Sequence, residues 1–327
     1  MIEKLYDLQM FASPNTVTGD PANPSSMSKE MKTYYSRELL ENAKPNLCHT
    51  QFAKKVALPK NNGKNIEWRK FGNFEKATTP LTEGVTPDGK SLAVTDITAK
   101  VDQYGAYSTI SDMVDMTAID NVVLEYTQRH GENMGMTIDT ICRNAAQAGT
   151  HVIYASGKNS RDSLVSSDKI TSALVAECAT FLKKMNAPKI NGKYVAIIHP
   201  SVAYDLRQDQ GWLDAHKYAS PDEIFTGEIG ELHGVRFIES TEAKIYNATG
   251  GAVYGCLFFG KDAFADVQLE GGNGQVIVKP LGSGDDPLNQ RSTVGWKVSG
   301  YAAKILYDEY LVRLECCSTF SAKDTEN

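Results

Sequence analysis

Two short runs of alternating residues, with a long turn-rich stretch between them, constrain this chain more than any other feature. Ile66, Trp68 and Phe71 mark one run, with Asn65, Glu67 and Arg69 facing the other way. Thr95, Ile97, Ala99 and Val101 mark the second, alternating with Asp96, Thr98 and Lys100. Leu92 and Val94 fall in the opposite phase, which predicts a bulge near that point. About twenty residues rich in Thr, Pro, Gly and charge separate the runs, among them the turn Pro87-Asp88-Gly89. A compact domain rarely carries so long a connection without structure of its own, so the pair reads as a two-stranded arm reaching away from the body. Such a ribbon is marginal in isolation and needs a partner surface.

The segments around the ribbon extend this reading. Residues 12–27 hold three prolines, three serines and two asparagines and little that is apolar, the composition of an extended arm. Ser28 then caps a helix that places Met31, Tyr34, Tyr35 and Leu39 on one side and ends at Pro45. With a single apolar stripe, that helix must lie on something. After Asp112 the period turns helical. Thr117 and Asp120 offer a cap, and Ile119, Val122, Val123, Tyr126, Met134, Ile138, Ile141, Ala145 and Ala148 follow at three- and four-residue steps. An unbroken helix to Gly149 would be about 45 Å long and act as a spine, weakened at Gly131 and Gly135.

Residues 168–240 read as a separate α/β unit. One helix carries Leu174, Cys178, Phe181 and Met185, Tyr194–Ile198 is a buried strand, and Pro200 opens another helix. Ser220-Pro221-Asp222-Glu223 has the cap and first-turn chemistry of a further helix, and Val235 and Phe237 belong to a strand. From Val253 onward the pattern is mainly β, and Tyr310, Val312, Leu314 and Cys316 alternate with Leu311, Arg313 and Glu315 in the last strand.

Composition and motifs narrow the chemistry. The 327 residues are 41% apolar and 23% charged, enough for a sizeable core and unlike a disordered or coiled-coil chain. Thirty-four basic against forty acidic residues give a net charge of -6, which disfavours a broad phosphate-neutralising surface. No basic-then-apolar leader and no apolar run long enough for a membrane span stand out, and the six cysteines form no Cys-x-x-Cys pair, so they read as reduced, mostly buried thiols. Adjacent Cys316 and Cys317 are expected on opposite faces of a strand. Neither a catalytic constellation nor a cofactor or metal site emerges, and a non-enzymatic role is expected.

One motif matches in full. Gly84-Val85-Thr86-Pro87-Asp88-Gly89-Lys90-Ser91 fits the phosphate-loop pattern. That loop works between a buried strand and a helix N-terminus. Here polar residues and Pro80 precede it, a strand pattern follows it, and Glu83 and Asp88 add negative charge where an anion should sit, so it reads as a glycine-rich turn. His199-Pro200-Ser201, at a strand-to-helix junction, reads as a structural turn.

The pattern of arm, ribbon, spine, α/β lobe and return strands resembles the major capsid proteins of tailed phages with the Hong Kong 97-type fold, in the family typified by the capsid protein of phage N-four. The matching stretches are Met31 to Lys44 with its Ala43-Lys44-Pro45 ending, Thr82 to Pro87, Val101 to Gly105 with Ser111-Asp112, and Ile197 to Pro200. Gly227 to Gly230, Gly234 to Phe237, Asp286 to Arg291 and Val294 to Lys297 complete the set.

The resemblance implies an α+β capsid fold in this order: N-terminal arm 1–27, N-terminal helix 28–52, extended loop 53–110, peripheral domain with spine 111–164, axial domain 165–250, and peripheral return strands with the C-terminus 251–327. It implies pentamers and hexamers of this chain in an icosahedral head around double-stranded DNA, assembled in a host bacterial cytoplasm and present in the virion, with no membrane. A separate scaffolding protein, a portal and cement proteins are implied as partners. The namesake's long scaffolding segment has no counterpart in the 27 residues before the first helix. Lys76 and Lys90 lie in the loop, but no asparagine or catalytic glutamate matches the namesake's isopeptide crosslink, so none is expected. Trp68, Phe71, Leu81 and Val85, with Tyr34 and Tyr35, are the expected inter-subunit contacts. The alternatives are a bacterial encapsulin-like nanocompartment shell, a nucleotide-binding enzyme using Gly84–Ser91, and a monomeric binding module. Against the enzyme, neither the native chain nor Lys90→Ala is expected to bind ATP in an equilibrium titration; binding abolished by Lys90→Ala would establish it.

Overall fold

A computed structural model describes residues 48–327 except 73, 82, 87, 118–121, 217–229, 273, 283–285 and 322. The expected N-terminal arm, the helix from Ser28 to Pro45 with Tyr34 and Tyr35, Asp120 and the helix at Ser220 lie outside the described residues, while Thr117, expected to cap the spine, ends a short helix of its own, Asp112–Thr117.

Two sheets and one long helix position everything else. The first sheet contains β1 (Lys54–Leu58), β4 (Asp102–Ser111), β11 (Phe264–Leu269), β12 (Gln275–Lys279) and β13 (Arg291–Ile305). The fifteen-residue β13 is its axis. Its first half is flanked by β4 on one edge and β12 on the other, and its second half pairs with β11, which also holds β1 in parallel. Gly295 allows the close pairing with β4, since a Cβ there would stand 2.7 Å from the Ala106 carbonyl oxygen.

The second sheet runs β5 (Val152–Tyr154), β14 (Leu311–Cys316), β10 (Gly251–Phe259), β6 (Tyr194–Ile198), β8 (Val235–Glu239) and β7 (Glu231–Leu232), with β9 (Ile245–Ala248) paired to the start of β10. The expected boundary at residue 250 therefore falls in the turn between two hydrogen-bonded strands of one sheet. Every residue of β6 is buried, because both faces of the sheet are covered. Tyr194, Ala196 and Ile198 face a core built from α3 (Ser172–Lys184), α4 (Pro200–Arg207) and α5 (Gln210–His216), including Val175, Leu182, Leu206 and Trp212. Val195 and Ile197 face the opposite way, with Leu257, Phe259 and Leu311, onto Cys142 and Ala146 of the spine.

The spine follows a short helix α1 (Asp112–Thr117) and is α2 (Val122–Gln147), 26 residues and about 39 Å long at 1.5 Å per residue. It is unbroken at Gly131 and Gly135, both of which are buried. Its C-terminal half departs from the expected stripe. Ile138, Ile141 and Ala145 are only half-buried and Ala148 is exposed, whereas Asp139, Cys142, Arg143, Ala146 and Gln147 are buried. The helix is wedged between the sheets, so it turns one flank, Met134, Ile138 and Ile141, to Trp296, Val298 and Tyr301 of β13, and another to the second sheet.

The polar side chains on that second flank are satisfied. Gln147 Nε2 donates to the Gly255 carbonyl at 2.7 Å and Arg143 Nη1 to the Glu242 carbonyl at 2.6 Å. Asp139 Oδ1 accepts from the backbone amides of His49 and Thr50 at 2.6 and 3.2 Å, while Oδ2 meets His49 Nδ1 at 2.6 Å. One carboxylate thus seats the chain where it enters the body. Asp139→Ala would strand these buried groups and is expected to cost about 3 kcal/mol, measured by urea unfolding of the unassembled chain. A loss below about 1 kcal/mol would mean that the entry segment is held by packing alone.

Candidate assembly interface

The ribbon comprises β2 (Asn65–Phe71) and β3 (Val94–Lys100), antiparallel and in register from Asn65 opposite Lys100 to Phe71 opposite Val94. The Gly72 amide donates to the Ala93 carbonyl at 2.8 Å beyond this ladder, and the Val101 amide to the Lys64 carbonyl at 2.9 Å at its base. No register shift interrupts it, which corrects the expected bulge. Strand alternation also moves Phe71 to the face of Asn65, Glu67 and Arg69, where it stands opposite Val94. The phase change read as a bulge is an apolar cross-strand pair on the otherwise polar outer face.

The inner face rests on the subunit's own body. Ile66 and Trp68 pack with Ala99 onto Leu58, Val101, Val267 and Ala302. Trp68, expected as an inter-subunit contact, is half-buried against its own chain. Farther out, Lys70 Nζ lies 2.8 Å from both carboxylate oxygens of Glu309 and 5.1 Å from the ring centre of Tyr307. The Lys70 hydrogen bond draws the Glu309 carboxyl below its ordinary pKa. Their separation of 239 positions gave the pairing no sequence signal.

Residues 72–93 add no strand or helix among the described residues, so the two-stranded part is shorter than expected. The sequence accounts for this: Pro80 and Pro87 lack the amide a ladder requires, and Gly84 takes a left-handed φ of 77°. The tip exposes apolar side chains. Phe71, Leu81 and Val85 show 61, 75 and 62% of their surface, and Phe74, Leu92 and Val94 are also exposed. The phosphate-loop reading fails on geometry. An exposed loop precedes Gly84, β3 and not a helix follows Ser91, and Lys90 Nζ lies 3.7 Å from Glu75 Oε2. At the other end of β13, Tyr107, Met116 and Leu288 form further exposed apolar surface that the sequence reading did not single out.

The other singled-out residues are structural. His199 caps α4, its Nδ1 accepting from the Ser201 amide at 3.2 Å, and its ring stacks on Tyr254 at 4.9 Å. Burial lowers its pKa. Tyr254 Oη in turn donates to Asp324 Oδ2 at 2.5 Å, tying the C-terminal segment to the same place. All six cysteines are free thiols, and only Cys48 is not fully buried. Cys316 and Cys317 share one core instead of facing opposite sides, because β14 ends at Cys316; burial pushes the Cys317 thiol up to about 11.

With this architecture in view, solved structures of similar shape are informative. The chain resembles the cyanophage Pam1 capsid subunit at 13% identity, covering 96% of this chain and 100% of that one, with a TM-score of 0.66. It resembles the Ralstonia phage GP4 capsid subunit at 13% identity, covering 97 and 100%, with a TM-score of 0.64. The capsid of cyanophage P-SCSP1u is similar at 15% identity, covering 82 and 87%, with a TM-score of 0.61. Among curated protein sequences none matches. The fold is the mixed α and β architecture of Hong Kong 97-type capsid subunits. The model of the phage capsid protein family matches residues 94–314, more than half of the chain, and the chain belongs to that family. Its function is that of a major capsid protein.

The two aromatic residues of the ribbon are expected to behave differently. Trp68→Ala is expected to lower the stability of the unassembled chain by about 2 kcal/mol through lost packing. Phe71→Ala should change it by less than about 0.5 kcal/mol. Thermal melts of the two variants side by side check this, and equal losses would mean that Phe71 is also packed within its own subunit.

Proposed function

We propose that this chain assembles into pentamers and hexamers of a closed icosahedral head around double-stranded DNA, with the ribbon tip locking each subunit to a neighbour. The observation that carries this reading is the tip itself: Phe71, Leu81 and Val85 are exposed on an arm whose root is packed and ion-paired to the body. Burying one such side chain contributes about 1.5–3 kcal/mol, and repetition around a closed shell turns modest contacts into a durable assembly. Tyr34 and Tyr35 are assigned to the same set of contacts on their helical spacing. A net charge of -6 suits an inner wall that encloses DNA without gripping it.

In this reading the extended loop spans 53–110, with β1 and β4 as its footings. The axial domain is centred on 165–250, joined to 251–327 through β10 and β14. A scaffolding protein would be supplied by a separate chain, with a portal and cement proteins as further partners, and assembly would take place in the host cytoplasm.

The test is to compare the native chain with Phe71→Ser/Leu81→Ser/Val85→Ser and with deletion of 76–90, by size-exclusion chromatography and negative-stain microscopy. Rings or shells from the native chain, and a folded monomer from both variants, are expected. Normal shells from either variant would overturn the locking role. Shells that package enzymes instead of DNA in an infected host would overturn the phage-head reading.

A further inference from the structure

The chain passes from β13 of the first sheet to β14 of the second through a tight turn, residues 307–310. Two adjacent acidic residues in that turn hold two different parts of the molecule. Asp308 faces the end of the spine, where its Oδ1 accepts from the Thr150 amide at 3.0 Å and its Oδ2 from the Thr150 hydroxyl. His151 Nε2 lies 3.6 Å from the same carboxylate. The spine's exit is pressed against the turn, because a Cβ on Gly149 would come within 2.6 Å of Leu311 Cδ2 and 3.2 Å of Asp308 Oδ1. Glu309 faces the other way and holds Lys70 of the ribbon through both of its oxygens. Tyr307, beneath the Lys70 ammonium, stacks on Tyr310 at 4.9 Å, and Tyr310 borders both cores of the second sheet.

The ribbon is free to respond at this point. Its base is packed, but its outer half stands over an open cleft of about 690 Å³. Ala93, Thr95 and Ile97 line that cleft from the ribbon side, and Lys304 and Leu306 from the end of β13. The Lys70–Glu309 pair spans it. Among the described residues the arm is packed at its root and tied by Lys70 across the gap, which makes it a lever, and its tie ends one residue from the group that seats the spine.

We propose that the turn 307–310 is a coupling catch: it joins the posture of the ribbon to the seating of the spine's C-terminal end, so that releasing one loosens the other. The reasoning is thermodynamic linkage. If Asp308 and Glu309 move as one rigid turn, a contact at either site stabilises the same turn conformation, and the effect must be reciprocal. The partly exposed ion pair contributes modestly, so the coupling is a bias and not a lock.

Amide hydrogen exchange on the full-length, unassembled chain tests the catch independently of how shells form. Lys70→Ala is expected to speed exchange about fivefold in β2 and β3, and by a similar factor at Thr150–Val152, which Lys70 does not touch. Asp308→Ala should act in reverse, speeding exchange in the ribbon as well as at the spine's end. Lys70→Gln, which keeps the side chain's reach, should repeat the Lys70→Ala result, and the charge-swapped pair Lys70→Glu/Glu309→Lys should restore protection at both places. Faster exchange confined to the side that carries the substitution, or unchanged exchange on both, would overturn the coupling.

Discussion

The architecture depends on matching the polar side chains that the spine buries between two sheets. A long helix set against one sheet can keep a solvated back, but α2 has sheet on two flanks along its C-terminal half. Asp139, Arg143 and Gln147 are admitted there because His49, Thr50, Glu242 and Gly255 present complementary groups. Each partner comes from a distant part of the chain. The spine therefore collects the entry segment, the β9 region and β10 around itself by directional bonds, where apolar packing alone would leave its rotation loosely specified.

Elements that announce themselves through local chemistry were legible in the sequence. The all-apolar run Tyr194–Ile198 is a strand covered on both faces, the stripe through Leu174, Cys178 and Phe181 lies on α3, Pro200 opens α4, and the ribbon strands lie where the alternation puts them. What could not be read was anything decided by a partner far away. Phe71 lies on the polar face because strict alternation, and not its hydrophobicity, sets its side, and Val94 is its cross-strand partner there instead of a bulge. The single stripe expected for the lower half of the spine does not hold, since no periodicity distinguishes a buried Asp139 held by His49 and Thr50 from a solvated one. Of the expected contact residues, Phe71, Leu81 and Val85 are exposed as an interface requires, and Trp68 belongs first to its own subunit.

The ribbon divides its labour along its length. Apolar packing at the base and the Lys70–Glu309 pair at the outer end of the ladder commit it to its own body. Beyond Gly72, the large apolar side chains Phe74, Leu81, Val85 and Leu92 are exposed. A chain intended to remain alone gains nothing from that arrangement, which exposes hydrophobic surface where a neighbour can reach it.

Beyond the Gly72–Ala93 hydrogen bond, the described residues of the tip carry no strand, and this has a geometric consequence. In the proposed assembly the tip meets a different part of the neighbouring subunit, so copies would join head to tail, and the angle between successive copies would decide whether a ring closes. A shell with both five- and six-fold rings demands that one contact be made at two angles. Backbone unconstrained by strand pairing can absorb that difference through small changes at many torsions, while the paired root keeps its shape. The irregular tip then acts as a compliant gasket, and a single sequence can tile a curved surface with rings of unequal size.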